Sequence, residues 1–185
     1  LMFVDKSTKY RRMYPLKNLT SSITRALQNF VNDVGIKPKL LRTDFDQKLI
    51  GSDARSFLDA NNIPIESAPP NRQHQNGLVE RSWQSAVVMA RNWLKSAHLP
   101  SKYWYFALKR AIEISNVSPC KLKGKITTPF EAVHHKKVDY RQLFPMFSVA
   151  YIKQTTEHGR HKNKWKSQSL KTICVGTCPK SDGLL

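Results

Sequence analysis

Two carboxylates stand where side chains can do metal-assisted chemistry. Asp44 closes the apolar run "KLLRTD", which reads as a buried strand, and Glu80 lies in "PPNRQHQNGLVERSW", at the opening of a long helix. Side chains at the end of a buried strand project from the sheet edge into a cleft. Thirty-five residues lie between the two positions. Clustered carboxylates suit hard divalent ions such as Mg²⁺, which take oxygen ligands and keep several waters. Two such ions roughly 4 Å apart can neutralise a phosphodiester in its transition state and generate a metal-bound nucleophile. Glu80 also has a plainer reading, because a carboxylate in the first turn complements the positive end of the helix dipole. On residue type and position alone, both readings stand.

The charge balance names the class of partner. Lys and Arg total 31 against 13 Asp and Glu, a net charge of +18 over 185 residues. That excess points to a polyanion, nucleic acid before membrane, since no apolar run approaches membrane-spanning length. Hydrophobic content of 40% and aromatic content of 10% mark a globular chain, one domain or a core domain with a small appendage. No secretory signal is visible, because the short apolar start Leu1–Val4 runs straight into Asp5 and Lys6. Three cysteines, few and odd in number, fit a reducing compartment. Residues 1–119 and 120–185 each carry +9, so the shorter C-terminal part is the denser basic surface and reads as a separate module.

The elements that must position these groups follow from pattern. "LMFV" and "YRRMYPLK" read as short strands joined by the turn "DKSTK". "NLTSSITRALQNFVNDVG" reads as a helix with Ile23, Leu27 and Phe30 on its apolar face and Gly35 as its stop. After the strand ending at Asp44, "SDARSFLDANN" reads as a helix capped at Ser52, and "IPIESA" as another strand. A polar loop, Asn71 to Gly77, precedes a helix running to about Ala97. At 100° per residue its apolar stripe is Trp83, Val87, Ala90 and Leu94, with Glu80 at the edge. "SKYWYFALKRAIEISNV" is a further helix after Pro100. From Pro119 the pattern breaks up, until "FSVAYIK" and "LKTICVGT" read as strands flanking the basic loop "QTTEHGRHKNKWKSQS". Strands alternating with helices make the chain α/β, a mixed sheet with flanking helices.

"LRTD" at a strand end, followed by "PPNRQHQNGLVER" with Glu80 at this spacing, resembles the catalytic core of retroviral-type integrases, and most of all the copia-type retrotransposon branch. "FVDKSTKY", "HLPSKYWYFALKRAIEISNVSP" and "TTPFEAVHHKKVDYRQLFPMFSVAYIK" extend the resemblance over nearly the whole chain. It implies an RNase H-like core over residues 1–135 and a partial SH3-like β module over 136–185. It implies 3′-end processing and strand transfer of element DNA, with Asp44 and Glu80 binding Mg²⁺ or Mn²⁺. It also implies a homo-oligomer working in the nucleus, and a loop around Asn76 and Gly77 that closes over the DNA end. The stripe Arg81, Gln84, Arg91 and Lys95 would then face DNA, or else it is a solvated helix face. The residues Arg160, Lys162, Lys164 and Lys166 around Trp165 would track phosphates, or else they form a solubilising loop.

The chain departs from the family pattern twice. The family's third carboxylate lies on a strand before the equivalent of "FVDKSTKY", so this chain is expected to be inactive by itself, with Asp5 a turn residue and not its substitute. Phe45-Asp46 stands where the family places a glycine-containing turn; Asp tolerates left-handed backbone, so the turn can survive. His158, His161, Cys174 and Cys178 have near zinc-ligand spacing, but "TICVGTC" reads as a strand that sends neighbouring side chains to opposite faces. Cys120 has no visible catalytic partner. The rival to an enzyme is a non-catalytic nucleic-acid-binding relic or domesticated fragment, with the same charge and fold.

Overall fold

The computed structural model describes residues 1–16, 19–43, 51–67, 77–153 and 169–176. Its contacts divide the chain into two units, one of residues 1–88 with 111–138, the other of 89–110 with 139–185.

The first unit opens with β1 (Met2–Val4) and β2 (Arg11–Met13), antiparallel, with Phe3 opposite Arg12. The connecting turn is built by Asp5. One carboxylate oxygen accepts from the Ser7 hydroxyl at 2.6 Å and from the Thr8 amide and hydroxyl at 2.8 and 2.6 Å. Burial alone would raise the Asp5 pKa, but these hydrogen bonds to the charged form outweigh it and hold it below the ordinary value. Asp5 is thus fully engaged as a turn residue.

Helix α1 (Leu19–Val34) buries Ile23, Leu27 and Phe30 at the 3–4 spacing expected of one face. It stops where Gly35 adopts φ +67°, the left-handed geometry that glycine enters without steric cost. Strand β3 (Leu41–Thr43), helix α2 (Ser52–Ala60) and strand β4 (Ile65–Ser67) form a βαβ unit, the strands parallel with Leu41 opposite Ile65. The cap of α2 differs from expectation. Gly51 occupies it in extended backbone, while Ser52 is the first helical residue and its hydroxyl turns to Asp53. Ile23, Leu27, Ala54, Leu58 and Ile63 make one core, against which Phe3, Leu16, Leu41, Phe57 and Ile65 pack.

Helix α3 (Gly77–Ser96) is followed by a 3₁₀ turn (Ser101–Tyr103) and helix α4 (Trp104–Val117). The expected stripe of α3 holds at Ala90, is half-buried at Val87 and Leu94, and fails at Trp83. Ser82, Ala86 and Ala90 are its buried residues, whereas Trp83 is 40% exposed. Beyond α4, where the sequence pattern breaks up, β5 (Cys120–Leu122) and β6 (Lys125–Thr127) form a hairpin, followed by helix α5 (Pro129–His134).

In the second unit β7 (Val149–Lys153) and β8 (Ser169–Ile173) pair antiparallel, with Tyr151 opposite Lys171. Cys174 prolongs the ladder: its amide donates to the Ser148 carbonyl at 2.8 Å and its carbonyl accepts from Phe147 at 3.0 Å. The architecture is mixed α/β with both parallel and antiparallel pairing. Among the described residues the strands form four two-stranded ladders, with no ladder joining one pair to another.

Candidate active site and nucleic-acid interface

The edges of β1 and β3 that pair with no further strand among the described residues border a cleft of about 840 Å³ within the first unit. Phe3, Phe30, Leu41 and Leu58 line it together with Leu78, Val79 and Arg81 from the first turns of α3. Strand geometry shows why the β1 edge is open. Leu1 exchanges backbone hydrogen bonds with Tyr14, and the Asp5 amide donates to the Tyr10 carbonyl, so the alternating residues Met2 and Val4 turn their N–H and C=O groups the other way.

Glu80 lies in the first turn of α3 and is exposed. No described residue hydrogen-bonds or ion-pairs with its carboxylate. A second glutamate shows what a capping carboxylate in this chain looks like. Glu131 completes a capping box at α5: its amide donates to the Thr128 hydroxyl at 3.1 Å, and its side chain accepts from the Thr128 amide and the Thr127 hydroxyl. The backbone and side-chain hydrogen bonds to that carboxylate lower the Glu131 pKa. Glu80 makes no such bonds with any described residue, so among these only the dipole term of its plain reading remains.

Gly77 is the first residue of α3, and the Arg81 guanidinium lies over it, 3.9 Å from where a Cβ at position 77 would stand. A cation at the N-terminal end of a helix is on the wrong side of the dipole. Its placement costs free energy unless an anion joins it. Arg81, Gln84, Arg91 and Lys95 are all exposed and fall on one face of the helix at its 3.6-residue period.

Of the other expected site residues, Asp44, Asn76, Arg160, Lys162, Lys164 and Lys166 lie outside the described residues, as do Asp46 and Trp165. Thr43, the residue before Asp44, is the last of β3. Of the four residues with near zinc-ligand spacing, His158, His161 and Cys178 also lie outside. Cys174 is buried, its thiol directed to the Gly176 carbonyl at 3.7 Å. The described residues contain no group of three or more His, Cys, Asp or Glu side chains placed to share a metal ion. Nor does any helix among them have the length and apolarity to cross a membrane.

The chain is 29% identical over 178 residues to the retrovirus-related Pol polyprotein from transposon RE2 of Arabidopsis thaliana, covering 91% of this chain and 12% of the polyprotein. It is 26% identical to the corresponding polyprotein from transposon TNT 1-94 of Nicotiana tabacum, over 94% of this chain and 13% of that one. The chain is homologous to retrotransposon Pol polyproteins. These relatives are of the copia type that the sequence motifs resemble, and the chain spans only a small part of their length. No protein-family profile matches the chain. Its fold matches a chain of the cryo-EM structure of the simian T-cell lymphotropic virus intasome in complex with PP2A regulatory subunit B56 gamma. The TM-score is 0.60 at 16% identity, covering 94% of this chain and 60% of that one.

Sequence reading missed three features of the chain, among them helix α5, whose signal is the capping pattern Thr128 to Glu131 with Pro129 at the first helical position. Asn116, buried on α4, bonds the backbone of Arg11 in both directions, at 2.9 and 2.8 Å. No local pattern in "EISNV" signals this. The β5–β6 hairpin did leave a signal, a Lys-Gly pair between short alternating runs in "CKLKGKIT".

Proposed function

We propose that this chain is the catalytic core of a retrotransposon integrase, acting on element DNA by metal-dependent polynucleotidyl transfer. The observation that carries the reading is the exposed Glu80 carboxylate, free of any partner among the described residues, in the first turn of α3. A carboxylate kept clear of hydrogen bonds at a cleft-lining helix end is available to a ligand. Its hard oxygen donors fit Mg²⁺ or Mn²⁺, and Asp44 is the second donor of the set. When bound, the metal supplies charge neutralisation and an acidified water for phosphodiester chemistry.

The chain's own groups hold the DNA. Arg81 offsets its unfavourable place over Gly77 by meeting a phosphate, and the helix N-terminus adds amide donors to the same anion. Gln84, Arg91 and Lys95 continue that contact along α3. In this reading residues 1–135 form an RNase H-like core and 136–185 an SH3-like module. The segment from Asn71 to Asn76 that leads into Gly77, the first residue of α3, covers the DNA end, and the parent integrase is a homo-oligomer acting in the nucleus. The cleft between β1 and β3 receives the strand that bears the third carboxylate, its backbone groups pairing with the open β1 edge.

The +18 charge equally favours a rival, a segment that only binds nucleic acid. Mn²⁺ titration separates the two. The integrase reading expects paramagnetic broadening centred on Gly77–Arg81 that Glu80→Gln abolishes. Diffuse broadening that is unchanged in the variant favours the rival.

A further inference from the structure

The β5–β6 hairpin carries a charge pattern that its structural role does not require. Its turn is Lys123-Gly124, with φ +47° and +83°, the doubly left-handed geometry of a tight two-residue turn. Gly124 reaches that geometry without strain, but Lys123 does not. Leu122 is buried and anchors the hairpin, while Lys121, Lys123 and Lys125 are exposed around its tip. Lys9, from the turn between β1 and β2, joins them by donating from Nζ to the Lys121 carbonyl at 3.2 Å. Lys121 stands on one face of the hairpin with Ile126, Lys125 on the other with Leu122, and Lys123 in the turn, so the lysines flank the tip from both sides; none of them, nor Lys9, has an ion-pair partner among the described residues. The nearby acidic side chains are committed elsewhere, Asp5 to Ser7 and Thr8 and Glu131 to its cap.

Beside Lys121, as its cross-strand partner, stands Ile126, 82% exposed. Lysines that only guarded a strand edge against association would not leave a β-branched apolar residue open among them. We infer that this hairpin is a second DNA contact of the chain, separate from α3, with Lys9, Lys121, Lys123 and Lys125 on the phosphate backbone of a duplex and Ile126 against its groove wall. Lysines act as point charges and position a backbone without reading sequence. An isoleucine finds apolar surface on deoxyribose and thymine methyl groups. The hairpin exposes no aromatic ring on which an unpaired base could stack, which favours duplex over single strand. Its single apolar residue offers far less area than a membrane-inserting face.

The proposal rests on the reading of the chain as a DNA-handling protein, and the two fail differently. The 185-residue chain is titrated with a random-sequence duplex in EDTA across a salt series. For Lys121→Ala/Lys123→Ala/Lys125→Ala, circular dichroism should match the parent. The slope of log K against log salt should shrink by about 2 to 3, close to 0.9 per neutralised phosphate. Ile126→Ala should weaken binding several-fold with the slope unchanged. A Lys→Arg triple should retain parental affinity. An unchanged slope in the folded alanine triple, with the parent still binding duplex, overturns the hairpin contact alone. A parent that binds no duplex overturns both readings. Loss of binding to phosphatidylserine vesicles or to single strands, without loss of duplex binding, overturns the duplex assignment.

Discussion

The side-chain amide of Asn116 grips the backbone of Arg11 at both ends, accepting from its N–H at 2.9 Å and donating to its C=O at 2.8 Å. An amide mimics a strand backbone, so a helix residue does for β2 what a neighbouring strand would do. Asn116 is 5% exposed, and water cannot replace it. Asn116→Ala leaves two backbone groups without partners and should cost roughly 2–6 kcal/mol, at about 1–3 per unsatisfied group. Urea denaturation measures it. A loss within experimental error would mean that β2 finds other partners.

His134 should make stability depend on pH. Its ring lies 3.2 Å from the Tyr10 hydroxyl, and burial first, then the charges of Arg12, Lys136 and His135, hold its pKa below the ordinary histidine value. Depressed basicity in the folded state means that the unfolded chain takes up the proton first. Stability is therefore full above about pH 6.5 and falls as pH drops through the unfolded and then the folded value. His134→Gln should flatten that part of the profile, read as the difference between parent and variant unfolding free energies. Parallel profiles would contradict the assignment.

Thr128 caps α5 and is buried. Thr128→Ala should cost about 1 kcal/mol, the usual loss for an N-cap hydroxyl. Thr128→Ser should restore most of it. Thermal unfolding of the three proteins decides, and equal stability of the alanine and serine variants would remove the cap from the account.

The two basic surfaces first visible in sequence can be separated by salt. Lys162, Lys164 and Lys166 changed together to Glu should weaken DNA binding across all sequences and lower the salt slope by about one for each phosphate released. Arg91→Ala/Lys95→Ala should act independently of that change. Asp44→Asn should leave affinity and slope nearly intact, because removing a negative charge does not weaken phosphate attraction. An unchanged slope in the folded glutamate triple would move the DNA surface from the loop to α3.

Periodicity made α1 and α3 legible, because Ile23, Leu27 and Phe30 repeat at helical spacing and no Gly or Pro interrupts residues 78–99. Strands β3 and β4 were legible as apolar runs bounded by turn residues. The face of α3 was legible only in part. Hydrophobicity favours Trp83, but burial falls to Ser82, Ala86 and Ala90, a choice set by tertiary contact. The α2 cap was misplaced by one residue because Gly51 reaches cap geometry without a side chain. The β5–β6 hairpin was hidden by lysines that alternate with its apolar residues. Asn116 could not be read at all, since its partner stands 105 residues away. Within the candidate site, the exposure of Glu80 depends on which way α3 faces, and that is again a tertiary property.

The account turns on Glu80 as a metal ligand, and Glu80→Gln in a protein that contains these residues and joins DNA strands tests it most directly. The amide keeps the shape and the helix position but removes the charge that a divalent ion requires. Strand transfer in Mg²⁺ should fall below detection while unfolding stability stays within about 0.5 kcal/mol of the parent, the range for exposed sites. Retained strand transfer, or a loss of activity that only follows a fall in folded protein, would contradict the account and leave Glu80 as a residue of the helix end.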